Sequence, residues 1–129
     1  MSRRSWARGI AAVEAATELL LRFEAGRYAR PGWPWVGTNP DGTAWIEWNM
    51  VAGSIGALSS GQRRVLLIAA SLGDGPPVDL HEVLWLDQPA TRLVLAAFAH
   101  AAQAGPLHPW PDQRQNAADR LTVAGQFRI

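Results

Sequence analysis

The sequence predicts an all-α or α-dominated single domain, a compact helical bundle of four to six helices, with a minor extended or β element near residues 33–47 and a second candidate near 120–129. Three observations favour this fold. Apolar residues recur at helical spacing in three segments, Ser or Asp caps stand where the central helices begin, and clusters of Pro and Gly separate the segments. A length of 129 residues suits one domain with its own core.

Residues 1–27 are predicted to be an amphipathic N-terminal helix, from about Ser5 to Gly26. Residues 28–42 form a connector rich in Trp, Pro and Gly, which ends in the turn sequence Asn39-Pro-Asp-Gly42. The helix carries an apolar stripe that we expect to pack on the core: Trp6, Ile10, Val13, Ala16, Leu20 and Phe23.

Residues 43–104 are predicted to be the helical core. Ser59 and Gln62 have the spacing of a capping box, and Asp79 and Asp87 have the positions of two further N-caps. The three helices predicted in this way span about residues 58–72, 79–86 and 87–103. Before them we place a short strand near 43–47, followed by a helix to Ala57, although residues 43–50 fit either strand or helix periodicity. Residues 105–129 form a Pro-rich connector and a C-terminal arm.

Four of the seven tryptophans lie within sixteen residues, at Trp33, Trp35, Trp45 and Trp48. Two roles fit such a cluster. Large amphipathic rings usually cover one side of a core, and they also dominate the hot spots of binding surfaces. Both roles stay open, and the four residues are candidate partner-binding residues.

The helix of about 90–103 is apolar nearly all round, with Leu95 on the side opposite to Leu93. A helix of this kind needs cover on every side, and several alanines would let another helix approach closely. Leu95 is therefore a further candidate partner-binding residue, and we expect a homodimer or an equivalent surface on another protein.

The composition excludes several kinds of site. The chain has no Cys, which rules out disulfides and thiolate chemistry, and its 12 basic residues are all Arg. A net charge of +1 gives no overall attraction to nucleic acid or to anionic membranes. Arg8, Glu14 and Glu18 interrupt any apolar leader, so we expect a cytoplasmic protein with no membrane partner. We also expect no cofactor and no metal ion.

Two strings resemble parts of enzymes. Leu58-Ser-Ser-Gly-Gln-Arg-Arg64 resembles the signature motif of ABC-type ATPases, and Leu84-Trp-Leu-Asp-Gln-Pro89 resembles their Walker B segment. Such an enzyme needs a phosphate-loop Lys, which this chain lacks, and Gln88 stands where the family has a catalytic Glu. His81-Glu82-Val-Leu-Trp85 begins like a zincin helix, but Trp85 replaces the second metal ligand. We therefore expect no enzyme, and a degenerate nucleotide-binding fragment ranks third among the functions.

The order of segments from Gln62 to Val94 resembles winged helix-turn-helix DNA-binding domains, with residues 105–129 available as a wing. The apolar character of the third helix argues against this family, because a recognition helix presents a polar face. The residues that the resemblance would place on DNA are Gln88, Thr91 and Arg92 at base edges and Arg63, Arg64 or Arg114 at phosphates. The leading hypothesis is a small non-enzymatic protein-interaction module, either self-associating or an adaptor, and DNA binding is the alternative.

Overall fold

The computed structural model describes residues 3–112, and within them it shows three α-helices, a two-stranded antiparallel sheet and short 3₁₀ segments. In chain order the elements are α1 (Arg3–Arg22), a 3₁₀ segment (Phe23–Ala29), β1 (Val36–Thr38), β2 (Ala44–Ile46), a 3₁₀ turn (Trp48–Met50), α2 (Ser60–Leu72), a 3₁₀ turn (Leu80–Val83), α3 (Gln88–Ala101) and a 3₁₀ turn (Gly105–Leu107).

The prediction of a bundle of four to six helices is wrong, because the described residues hold three α-helices and a small sheet. The helix predicted up to Ala57 is a single 3₁₀ turn, Trp48–Met50, that lacks a side-chain cap. Gly53 and Gly56 follow it, and each disfavours a helix by about 1 kcal/mol relative to Ala. The helix predicted for 79–86 is also one 3₁₀ turn, because the next cap, Asp87, needs extended backbone and leaves too little room. The extended element predicted near 120–129 lies outside the described residues.

The sheet is a hairpin within the segment where an extended element was expected. Val36 pairs with Ile46, and the turn sequence Asn39-Pro-Asp-Gly42 joins the two strands. In the turn, the Asp41 carboxylate accepts hydrogen bonds from the Thr43 amide at 2.9 Å and from its hydroxyl at 2.7 Å. These two donors hold the pKa of the Asp41 carboxyl below its usual value.

The core is built around α1, which packs against both α2 and α3. Ala11 of α1 lies near His100 at the end of α3, and Phe23 after α1 lies near Leu93 in the first half of α3, so the two helices run antiparallel. The largest fully buried side chains come from every part of the described chain up to α2: Leu19, Leu20, Tyr28, Trp35, Val51, Val65 and Leu66. One continuous core therefore joins the N-terminal helix, the hairpin region and the central helices.

The end of α1 is a left-handed turn. Glu24, Ala25 and Gly26 all have positive φ angles, of 47°, 58° and 77°. The chain reverses there, and the Phe23 and Tyr28 rings stack with their centroids 5.8 Å apart. We predicted that the helix would continue to Gly26, but regular helix stops at Arg22.

Across residues 3–112, none of the helices combines the length and the apolar character that a bilayer-spanning segment needs.

Candidate interaction surface

The most exposed group of large apolar side chains lies on the segment between α2 and α3. Leu80 is 58% exposed, Leu84 is 57% exposed and Trp85 is 70% exposed. The three residues fall within six positions, and Leu84 and Trp85 directly follow the 3₁₀ turn that begins at Leu80. We call these three exposed apolar side chains the Trp85 surface. A clustered patch of this kind on a single chain usually marks an interaction site.

The other apolar residues of this segment hold it on the core. Val83 is buried, and Val78 and Leu86 are half-buried against the core. Inward and outward apolar residues thus occupy different positions of the same short segment. The segment is therefore anchored to the core by other residues than the three exposed ones.

Arg64 of α2 fixes the backbone beneath the Trp85 surface. Its guanidinium donates to the carbonyl oxygen of Glu82 at 3.2 Å and to that of Trp85 at 2.8 Å. N-caps hold both ends of the segment, since Asp79 accepts from the His81 amide and Asp87 accepts from the Ala90 amide. A backbone fixed before binding reduces the ordering cost that a partner would otherwise have to offset.

The outer side of α3 is a second exposed apolar face. Leu95 is 43% exposed and Phe98 is 42% exposed, whereas Leu93 and Val94 face the core. The sequence correctly gives this helix two apolar sides, but only one of them is covered within the described residues. Leu95 is therefore placed where a partner could reach it.

The four clustered tryptophans have different roles. Trp35 is fully buried, and its indole N–H donates to the Tyr28 carbonyl at 2.7 Å, so it presents no surface to a partner. Trp33 is half-buried and stacks on Trp35 with centroids 5.0 Å apart. Trp48 is half-buried and packs over Gly73. Of the four, only Trp45 is exposed, at 42%, and its ring lies over Gly37 while its indole N–H donates to the Glu47 carboxylate at 3.0 Å.

The candidate DNA-binding residues are only partly brought together. Gln88 and Arg92 are exposed on α3, and Thr91 beside them donates its hydroxyl hydrogen to the Asp87 carbonyl. The same side of α3 carries Leu95 and Phe98, which leaves it too apolar for a face that reads base edges. Arg63 lies half-buried on α2, Arg64 is bonded to the two carbonyls named above, and Arg114 lies outside the described residues.

Two clefts lie at opposite ends of the α1 and α3 pair. One, of about 500 Å³, lies where α1 ends and α2 and α3 begin, and its polar lining includes Ser59, Gln62 and Asp87. Those three groups are used in helix caps, since the capping box of Ser59 and Gln62 is fully formed.

The second cleft, of about 510 Å³, lies at the end of α3. It contains His100, which accepts a hydrogen bond from the Trp110 indole at 3.2 Å and lies 3.9 Å from Glu14. Within residues 3–112 no three His, Cys, Asp or Glu side chains converge as metal ligands would. The cap residues of the first cleft and His100 of the second thus serve contacts within the fold, whereas the buried Nδ1 of His108, which lines the second cleft, has no hydrogen-bond partner among the described residues.

No protein-family model, no curated protein and no solved structure matches the chain. The resemblances to ABC-type ATPases and to winged-helix domains therefore gain no support from these comparisons. The function has to be argued from the surface itself.

Sequence reasoning missed Leu80, Leu84, Trp85 and Phe98 as surface residues. In the sequence Trp85 stands in two motif-like strings, the Walker B-like segment and the zincin-like start, and neither predicts an exposed ring. A usable signal existed: three large apolar residues, Leu80, Leu84 and Trp85, crowd into a stretch between two caps that is too short for a two-turn helix. Such a stretch cannot turn all its apolar side chains to the core.

Proposed function

We propose that this chain is a non-enzymatic protein-interaction module that binds a partner through the Trp85 surface. The observation that carries the proposal is the 70% exposure of Trp85 on a backbone fixed by two hydrogen bonds from Arg64. Tryptophan is among the residues most enriched at binding hot spots.

The energetics favour binding at this point. A Trp side chain covers up to about 250 Å² when buried, so the exposed part of Trp85 offers roughly 175 Å² to a partner. At about 25 cal/mol per Å², covering it contributes about 4 kcal/mol before the costs of association. Leu80 and Leu84 add to this area from the same segment.

Self-association is the second candidate, and the outer face of α3 is the observation that favours it. Leu95 and Phe98 project beside two small residues, Ala99 and Ala102, which would allow a second copy of α3 to pack closely. Sedimentation velocity at micromolar concentration tests it. We expect a dimer that Leu95→Glu dissociates without unfolding the chain, and a monomeric wild type would remove this candidate.

The experiment for the Trp85 surface is a selection of random peptides displayed on phage. Enriched peptides are then measured against the wild type, Trp85→Ala and a control variant, Trp45→Ala, which removes an exposed tryptophan from the hairpin. Because Trp85 is exposed, its replacement should change the free energy of unfolding by less than about 0.5 kcal/mol.

We expect the selected peptides to bind the wild type and Trp45→Ala alike and to bind Trp85→Ala at least tenfold more weakly. Peptides that bind Trp85→Ala as tightly as the wild type would show that the partner-binding surface lies elsewhere.

A further inference from the structure

We propose that the partner presents a basic amphipathic segment to the Trp85 surface, with apolar side chains flanked by Arg or Lys. This inference rests on the proposed function and specifies the partner of the same surface. The partner is a protein segment and not a lipid surface.

The segment that carries the Trp85 surface is acidic. Residues 74–88 contain Asp74, Asp79, Glu82 and Asp87 and no Arg, so with His81 neutral the stretch carries a charge of −4, whereas the whole chain carries +1. Asp79, Glu82 and Asp87 are all exposed and lie between or beside the apolar residues of the surface. We call these three carboxylates the acidic rim.

Arg64 on α2 offsets only part of the charge of the acidic rim. Arg64 directs its guanidinium to the Glu82 and Trp85 carbonyls, and it forms no ion pair with a rim carboxylate. Glu82 and Asp79 take part in no ion pair within the part of the chain that the structure describes. Counted with Arg64, whose guanidinium lies on the carbonyls of this segment, the three rim carboxylates leave a net charge of −2 around an apolar centre.

The geometry leaves rim oxygens available to a partner. Asp79 and Asp87 each accept one backbone N–H through a single oxygen, Oδ1. Each carboxylate can accept further hydrogen bonds at its other oxygen, and a guanidinium or ammonium forms the strongest ones. Apolar contact at Trp85 with charge contact at the rim matches the usual plan of an interface, in which an apolar centre has a polar border.

The same charge opposes the other occupant that an exposed Trp and two Leu could suggest, namely an anionic membrane. Acidic lipid headgroups would meet the three rim carboxylates at close range and be repelled. A basic protein segment would instead be steered towards the surface, and its association rate would fall with rising salt.

The test uses two synthetic amphipathic peptides with identical Leu and Trp positions, one carrying Arg at its polar positions and the other Glu. Binding to the full chain is measured by calorimetry at low and high salt. The variants are Asp79→Asn/Glu82→Gln, in which Asn still caps the 3₁₀ turn, and Trp85→Ala. A control, Glu14→Gln/Glu47→Gln, removes the same charge from α1 and from the residue after the hairpin.

We expect the Arg peptide to bind at least tenfold more tightly than the Glu peptide at low salt, with a smaller ratio at high salt. The rim variant should lose most of this preference, the control should keep it, and Trp85→Ala should weaken both peptides. Equal binding of the two peptides, or no binding of either, would overturn the basic partner. The phage selection would still test the proposed function on its own. Enriched peptides that lack basic residues but lose binding to Trp85→Ala would support binding at the Trp85 surface.

A vesicle-binding measurement distinguishes a protein partner from a membrane. Vesicles containing one third anionic lipid should not bind the wild type. Binding that Trp85→Ala abolishes would assign the surface to a membrane and overturn the inference.

Discussion

Replacing Trp35 with Phe tests whether this tryptophan belongs to the core. Trp35 and Tyr28 are both fully buried, and the Trp35 indole N–H donates to the Tyr28 carbonyl at 2.7 Å. Phe keeps the apolar six-membered ring but cannot donate this hydrogen bond. The matched control is Trp45→Phe, since Trp45 is 42% exposed and its indole N–H donates to an exposed carboxylate.

The expected cost of Trp35→Phe has two parts. A buried carbonyl deprived of its donor costs about 1 to 3 kcal/mol, and the void left by the missing pyrrole part of the ring costs about 1 to 2 kcal/mol. Together they lower the free energy of unfolding by about 3 kcal/mol. The control should cost less than about 0.5 kcal/mol, because water can solvate the groups it leaves behind.

Urea unfolding measures both variants. With a slope of about 2 kcal/mol per M, typical of a small domain, Trp35→Phe should move the midpoint down by about 1.5 M. The control should move it by less than about 0.3 M. Equal midpoints for the two variants would refute the assignment of Trp35 to the core and reopen its role as a partner-binding residue.

Three further outcomes follow from the described contacts. Ser59→Ala should lower the free energy of unfolding by about 1 kcal/mol, measured by thermal unfolding, whereas Ser59→Asp should retain the cap with Gln62. An unchanged melting temperature for Ser59→Ala would argue against the capping box. Gly73→Ala should cost about 1 to 3 kcal/mol and alter the emission of Trp48, whose ring fills the space that a Cβ would need. Burial, followed by the charge of Glu24, raises the pKa of the Tyr28 hydroxyl above its usual value of 10.0, so its contribution to stability is complete below pH 10 and is lost as the pH rises through the folded pKa. Urea midpoints between pH 9 and 12 should therefore fall more steeply for the wild type than for Tyr28→Phe.

Signals that act over three or four residues were readable from the sequence. The capping box at Ser59 and Gln62 is confirmed, and Asp79 and Asp87 are confirmed as N-caps. What these caps could not predict was the length of each element. Asp79 opens a single 3₁₀ turn, because the extended conformation of Asp87 stops any longer helix.

Burial of individual aromatic residues depends on tertiary contacts, and the sequence left both roles of the tryptophan cluster open. Trp35 and Trp85 are the same residue type, yet one is fully buried and the other is 70% exposed. The first is fixed by the Tyr28 carbonyl and the second by Arg64, which is 21 residues away. The periodicity of the sequence does not reveal such a contact, so the Trp85 surface could not be located without the fold.

The left-handed turn after α1 shows which interactions determine where that helix ends. Glu24 and Ala25 are good helix formers, and nothing in their own sequence stops a helix at Arg22. The folded domain provides contacts at this turn, since the Gln62 amide, 38 residues further on, donates to the Glu24 carboxylate at 3.3 Å and Phe23 stacks on Tyr28. A left-handed conformation at two residues with a Cβ costs about 1 to 2 kcal/mol each, which only the assembled domain can offset. Excised as a peptide, residues 3–26 would therefore wind on past Arg22, so this helix terminus is a property of the folded domain and not of the segment that bears it.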